Sequence, residues 1–192
     1  FRSHATAWGL PFAAAINGCK LVLPCEKMDG VSLHELITNE GVTFSGGVPT
    51  IWTQYLNLIE RSGEKPGVLK RLVIGGSAVP YAMAEAYHHK FGVEVRQLWG
   101  MTETSPIGTI SSPTPKVAEA GADALNDLIW TRQGRLQFGT ELKVVDDDGN
   151  EVPRDGTTPG SLKARGPWTV QRYYRATADA VDADGWFETG DI

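Results

Sequence analysis

The sequence predicts an α/β fold, a parallel-sheet βαβ subdomain followed by a small antiparallel, barrel-like β subdomain. Three observations carry this expectation. Between residues 29 and 112, short apolar runs alternate with stretches whose apolar positions recur at three and four. After Pro113 and Pro115 the texture changes to short alternating runs separated by turns. With 22 Gly and 11 Pro in 192 residues, the chain has enough punctuation to bound many short elements. The expected organisation is an α/β subdomain over 1–112, a connecting segment over 113–133 and an antiparallel β subdomain over 134–192.

Ser32 and Glu35 stand at capping-box spacing around Leu33, Leu36 and Ile37, and Gly41 supplies a left-handed exit, so a short helix is expected there. Val42, Thr43 and Phe44 read as a strand. Gly46, Gly47 and Pro49 lead into a helix with apolar Ile51, Trp52, Tyr55, Leu56, Leu58 and Ile59, closed by Gly63. Leu69 to Gly76 reads as a strand running into a glycine turn. Pro80 opens a helix to about Phe91, Gly92 stops it, and Val93 to Trp99 is strand again, ending at Gly100. Strand, crossover helix, strand is a βαβ unit with parallel strands. The turns at 75–80 and 99–103 therefore leave the sheet on one edge, where open α/β sheets bind ligands. Residues 113–133, with Ala118, Ala122, Leu125 and Leu128, read as either a helical or a mobile connection. Beyond Gly134, strands are expected at 141–145, 161–165, 169–174 and 186–189, the first followed by a turn at Asp147–Asn150.

Composition narrows the function. At 41% apolar and 21% charged residues, coiled coil, collagen and disorder are excluded. The uncharged stretch from Trp8 to Cys19 is broken by Pro11 and Asn17 and falls short of the ~20 residues that span a bilayer, so no transmembrane segment is expected. The net charge of −5 arises after residue 112: residues 1–112 carry nine acidic and nine basic side chains, residues 113–192 fourteen and nine. No Lys/Arg stripe is present, so no nucleic-acid partner is expected. A phosphate ligand would need backbone amides or a metal ion. Cys19 and Cys25 lack a CxxC partner or a His at metal-ligand spacing and read as reduced thiols of a cytoplasmic protein. The start at Phe1 and the end at Ile192, straight after a Gly-Asp turn, predict a piece of a longer protein.

Among the chemical constellations, Asp146–Asn150 has the look of a calcium loop, but Val144 occupies the first ligand position, and a hairpin turn is the better reading. His88 and His89 are adjacent on a helix, pointing to different faces, and read as surface residues. The turn at 99–103 offers more. Trp99, Thr102 and Glu103 supply an aromatic face, a hydroxyl donor and a carboxylate, which suit a purine, a phosphate and Mg²⁺. Those residues equally suit a plain turn with an N-cap Thr and a first-turn Glu. Gly75 and Gly76 on the same edge, and the carboxylate of Asp191, which could accept two ribose hydroxyls, favour the ligand reading.

WGMTETSP at 99–106, GGSAVP at 75–80 and DGWFETGDI at 184–192 resemble the core motifs of the adenylate-forming (AMP-binding) superfamily of acyl-CoA synthetases, firefly-type luciferases and peptide-synthetase adenylation domains. Within it, residues 1–24 and 40–52 are most similar to medium- and long-chain fatty-acid CoA ligases. The resemblance covers nearly the whole chain. It implies that Trp99 packs on adenine, that Thr102 bonds the α-phosphate, that Glu103 ligates Mg²⁺ and that Asp191 holds the ribose hydroxyls. It further implies that Gly75, Gly76, Ser77 and Ala78, with Gly100 beside them, line the nucleotide and acyl sites with main chain. His4 corresponds to a His beside the acyl carboxylate, and Trp8 and Leu98 to walls of the acyl pocket. Arg2 and Ser3 depart from the apolar pair usual before that His, and Ser161 stands where the family has a carboxylate.

The resemblance thus implies part of the large N-terminal domain of an ATP-dependent fatty-acyl-CoA synthetase, using ATP/AMP, Mg²⁺ and coenzyme A, with fatty acid, ATP and CoA as small-molecule partners. The phosphate-gripping loop and the C-terminal lysine domain of the family have no counterpart here, so the chain alone is expected to be inactive and to form a homo-oligomer through its cut surface. A cytoplasmic location is expected, with peripheral membrane association as the alternative. The rival readings are an aryl, amino-acid or luciferin adenylating enzyme, and a noncatalytic nucleotide-binding or assembly module.

Overall fold

A computed structural model describes residues 9–192, which divide into two units: one runs to Trp99 and resumes over Thr109–Arg135, the other joins Gly100–Gly108 to Leu136–Ile192. In the first unit the elements are α1 (Leu10–Ile16), α2 (Gly30–Asn39), β1 (Phe44–Gly47), α3 (Pro49–Ser62), β2 (Arg71–Ile74), α4 (Tyr81–Phe91), β3 (Glu94–Trp99), β4 (Thr109–Ile110), α5 (Pro115–Glu119) and α6 (Ala122–Thr131), and the chain passes to the second unit at β5 (Arg135–Leu136). The sheet order is β1-β2-β3-β4-β5. β1 and β2 pair in parallel with Gly47 opposite Ile74, β2 and β3 in parallel with Ile74 opposite Gln97, and β3 and β4 antiparallel. The carboxyl ends of β1, β2 and β3 therefore share one edge, as the βαβ reading expects.

Helices α3 and α4 start after Val48 and Pro80 and end at Gly63 and Gly92, as their punctuation predicts. Their apolar faces, Trp52, Tyr55, Leu56 and Ile59 on one and Met83, Ala84 and Tyr87 on the other, pack with Leu72, Ile74 and Val95 of the sheet in a single buried cluster. Each fully buried large apolar side chain contributes about 1.5–3 kcal/mol, so this cluster sets the stability of the unit. The Tyr87 hydroxyl donates to the Trp52 carbonyl at 2.7 Å and ties the two helices. Trp52 Nε1 is a buried donor that finds no partner among the described residues.

Two elements of the first unit differ from expectation. Helix α2 begins at Gly30, because the Asp29 carboxylate accepts from the Ser32 amide at 3.0 Å and from the Ser32 hydroxyl at 2.8 Å; Asp29, not Ser32, is the cap. Strand β1 lies at Phe44–Gly47 rather than 42–44, with Gly47 leaving room for the Trp52 indole. The 113–133 segment takes the helical one of its two alternatives, as α5 and α6, and Ile129 and Trp130 of α6 enter the core.

The second unit contains β6 (Glu141–Val145), β7 (Ser161–Arg165) and β8 (Phe187–Glu188) in an open antiparallel sheet of that order. Asp146 closes the turn after β6 by accepting from the Asp148 and Asn150 amides at 3.0 and 2.8 Å. Trp186 lies between Lys143 and Arg165, each cation 4.4 Å from the ring, and Arg165 also pairs with Glu141 at 2.7 Å. Residues 169–174 are not a strand: the Val170 amide donates to the Glu103 carbonyl at 2.8 Å, so this segment bonds a turn instead of a ladder.

Candidate functional site

Of the residues singled out from the sequence, Gly75, Gly76, Ser77, Ala78, Leu98 and Trp99 belong to the first unit, and Gly100, Thr102, Glu103 and Asp191 to the second. His4 and Trp8 lie outside the described residues. In the first unit β2 ends in the turn from Gly75 to Pro80. A Cβ on Gly75 would stand 2.3 Å from Leu98 Cδ1 and 2.9 Å from the Leu98 carbonyl oxygen, so only glycine permits the two strands to approach as they do. Leu98 is itself buried against that glycine. Gly76, Ser77 and Ala78 are exposed, which leaves their main chain open to a ligand.

The far end of this turn is held by a residue that sequence reasoning passed over. Gln97 on β3 is 3% exposed. Its Oε1 accepts from the Val79 amide at 3.3 Å, and its Nε2 donates to the carbonyls of Ile129 at 3.2 Å and Trp130 at 2.8 Å. One side chain thus ties the turn to the last residues of α6. In the same strand the buried Arg96 pairs with Glu94 and donates to the Ser111 carbonyl at 2.9 Å, while Arg71 meets the same Glu94 at 2.6 Å. Burial, and secondarily the charge of Arg71, lowers the Arg96 guanidinium to about 10. It remains charged at neutral pH.

In the second unit the turn 100–108 is built for close approach: a Cβ on Gly100 would stand 1.8 Å from the Pro106 carbonyl oxygen. Thr102–Thr104 forms a short 3₁₀ turn whose buried Thr104 hydroxyl bonds the Met101 amide at 3.0 Å and the Pro106 carbonyl at 2.9 Å. The exposed Thr102 and half-buried Glu103 open into a cleft of ≈ 500 Å³ whose other wall is the 167–174 segment. Three tethers join the walls: Val170 N–H to Glu103 O at 2.8 Å, Ser105 Oγ to Trp168 O at 2.8 Å, and Tyr173 OH to Glu103 Oε1 at 2.9 Å. The bond to Glu103 raises the Tyr173 phenol above its ordinary value. Asp191 does not line that cleft; its main chain is fastened to β7, where the Leu162 amide donates to its carbonyl at 2.9 Å.

Among the described residues no group of three or more His, Cys, Asp or Glu side chains is arranged to hold a metal ion. A lone carboxylate such as Glu103 in an open cleft nevertheless fits Mg²⁺, which takes one or two protein carboxylates and completes its octahedron with phosphate oxygens and water. The donor set suits a cation that arrives with a nucleotide. His88 and His89 both rest their rings on Trp130, with centroids 5.6 and 5.8 Å from it, rather than pointing apart.

Residues 2–174 match the family model described as AMP-binding enzyme. The chain is 43% identical over 189 residues to a medium-chain-fatty-acid–CoA ligase of Ectopseudomonas oleovorans, covering 98% of this chain and 34% of the relative. It is 40% identical to a long-chain-fatty-acid–CoA ligase of Thermus thermophilus, again covering 98% of this chain and 35% of the other. Among solved structures, a long-chain-fatty-acid-CoA ligase from Archaeoglobus fulgidus superposes with a TM-score of 0.77 at 25% identity, over 97% of this chain and 38% of that one. The chain therefore spans about a third of the length of the curated relatives it matches.

Proposed function

Given that the chain belongs to the AMP-binding enzyme family, we propose that it is part of an ATP-dependent fatty-acid CoA ligase. In that reaction a carboxylate oxygen attacks the α-phosphorus of ATP, pyrophosphate leaves, and the resulting acyl-AMP passes its acyl group to the thiol of coenzyme A with release of AMP. The observation that carries this reading is the 102–105 turn, where a hydroxyl and a carboxylate on consecutive residues open into one tethered cleft.

The roles follow from chemistry. The main chain of Gly75–Ala78 and Gly100 and the ring of Trp99 would hold adenine, and Asp191 would accept the ribose hydroxyls. Thr102 would donate to an α-phosphate oxygen as charge builds there, a contribution that grows from ground state to transition state. Glu103 would hold Mg²⁺, which when bound neutralises phosphate charge as a Lewis acid. Leu98 and Trp8 would bound the acyl chain, with His4 beside its carboxylate. Positioning accounts for most of the catalysis expected from these groups. The reading carries with it a cytoplasmic parent active in fatty-acid metabolism; no helix of the described residues is long and apolar enough to cross a membrane. Exposed Phe12, Ile16 and Leu23 support self-association of the isolated chain, which sedimentation velocity would detect as dimers or larger species and a clean monomer would contradict.

Fatty acids are favoured over aromatic acids because relatives named for fatty acids stand at 43% and 40% identity, against 33% and 32% for two named for naphthoate and salicylate substrates. A relative named 3-methylmercaptopropionyl-CoA ligase, from Ruegeria lacuscaerulensis, stands at 42% and supports a short thioether acid as a second reading. Acyl-CoA formation by the full-length parent on octanoate, palmitate, 3-methylmercaptopropionate and benzoate separates these. The highest kcat/KM is expected for a fatty acid; preference for benzoate, or no turnover of any acid, would overturn the proposal.

A further inference from the structure

We infer that Tyr173 is a positioning residue for Glu103, setting the carboxylate that the reading above assigns to Mg²⁺. The phenol donates to Glu103 Oε1 at 2.9 Å. That bond spends one carboxylate oxygen on a protein donor and fixes the side chain's rotation, so the cation with its phosphates would be met by Oε2. A free Glu side chain loses rotamer entropy when it takes a ligand; one already held by a hydrogen bond loses less.

Tyr173 is itself held. The Arg172 side chain pairs with Asp179, Nε and Nη2 lying 2.8 and 2.7 Å from Oδ1. The Ala180 amide donates to the Gln171 carbonyl at 2.8 Å, and the Ala176 amide to the Tyr173 carbonyl at 3.0 Å. Residues 171–180 thus close on themselves immediately around the tyrosine. On the other side, the Val170–Glu103 and Ser105–Trp168 bonds hold the main chain of the two walls in register. The Tyr173 ring is half exposed and enters no buried cluster, so its contribution lies in where it puts the hydroxyl rather than in packing.

The inference rests on Glu103 being the metal-binding carboxylate, and the test separates the two. In the full-length parent, Mn²⁺·ATP binding is followed by electron paramagnetic resonance and metal-free AMP binding by calorimetry, for wild type, Tyr173→Phe and Glu103→Gln. Removing one hydrogen bond to a charged group at an exposed position should weaken Mn²⁺·ATP binding by roughly threefold to tenfold in Tyr173→Phe, while AMP affinity stays unchanged. Glu103→Gln should weaken Mn²⁺·ATP binding further. If Tyr173→Phe binds Mn²⁺·ATP like wild type while Glu103→Gln does not, the positioning role is wrong and the metal assignment stands. If neither variant differs from wild type, the metal assignment fails and the inference with it. Equal losses of AMP and Mn²⁺·ATP affinity in Tyr173→Phe would make the residue a general support of the unit and overturn the inference.

Discussion

Replacing Gln97 tests how the turn at 75–80 is held. Gln97→Leu keeps the volume and the buried position but removes an acceptor for the Val79 amide and a donor for the carbonyls of Ile129 and Trp130. A buried N–H left unpaired costs about 1–3 kcal/mol, and each ordinary hydrogen bond contributes about 0.5–1.5 kcal/mol net. Two of the three contacts are long, at 3.3 and 3.2 Å, so the lower ends apply and the loss comes to about 2–4 kcal/mol. At a urea m-value of about 2 kcal/mol/M this moves the unfolding midpoint of the 192-residue chain down by about 1–2 M. Gln97→Glu sharpens the test. It keeps an acceptor for Val79 but turns a carboxylate toward two carbonyl oxygens, and burial raises the pKa of the introduced acid above its unfolded value. Its folded state is therefore favoured at low pH and loses stability as pH rises through that raised pKa, so this variant should recover part of its deficit between pH 7 and pH 5. A Gln97→Leu midpoint within about 0.25 M of wild type, roughly 0.5 kcal/mol, would refute the idea that this side chain anchors the turn.

Three further outcomes are expected. Acidification should destabilise the chain: Asp29, Asp155 and Asp182 are held below their ordinary values chiefly by backbone amide donors and Glu141 by the Arg165 side chain, so their contribution is present above about pH 4–4.5 and lost as pH falls below; a urea midpoint equal at pH 7 and pH 3.5 would contradict this. In the full-length parent, Leu98→Gly should shift acyl preference toward longer chains, each extra buried methylene being worth about 0.8 kcal/mol, and an unmoved chain-length profile would place Leu98 in ordinary packing against Gly75. Trp52→Phe removes a buried donor that finds no partner among the described residues and should destabilise by less than about 1.5 kcal/mol in urea unfolding, well under the usual cost of trimming a buried aromatic, because the lost N–H carries its own desolvation penalty.

Where local chemistry decides structure, the sequence was readable. Pro49 and Gly63 bound α3, and Pro80 and Gly92 bound α4, because proline and glycine act through their own backbones. The start of α2 departs from the capping-box expectation because Asp29 and Ser32 both cap well, and only geometry shows which carboxylate or hydroxyl reaches the amide. Residues 169–174 alternate like a strand, yet their partner is a turn near residue 103, a pairing that no local pattern encodes. The same distance hides the candidate site's supports. Thr102 and Glu103 stood out because they sit together on a strand-ending turn, whereas Tyr173 reaches Glu103 across 70 positions. Gln97 likewise gains its role only from partners 18 to 33 positions away. A polar side chain on the otherwise apolar strand face Val93, Val95, Gln97, Trp99 is the available signal, since buried amides persist only where their hydrogen bonds are met.

Under the proposed function, Glu103 and its turn belong to a carboxylate-adenylating site. Fatty-acid-dependent exchange of pyrophosphate into ATP, measured on the full-length parent, isolates the adenylation step from thiol transfer. Wild type should exchange in the presence of a fatty acid. Glu103→Gln should retain its fold, since a half-exposed turn carboxylate adds little to stability, and should lose roughly 10²–10³ in exchange rate, the size of effect seen when one preorganised group is removed from a developing charge. Exchange by Glu103→Gln at the wild-type rate would contradict the account.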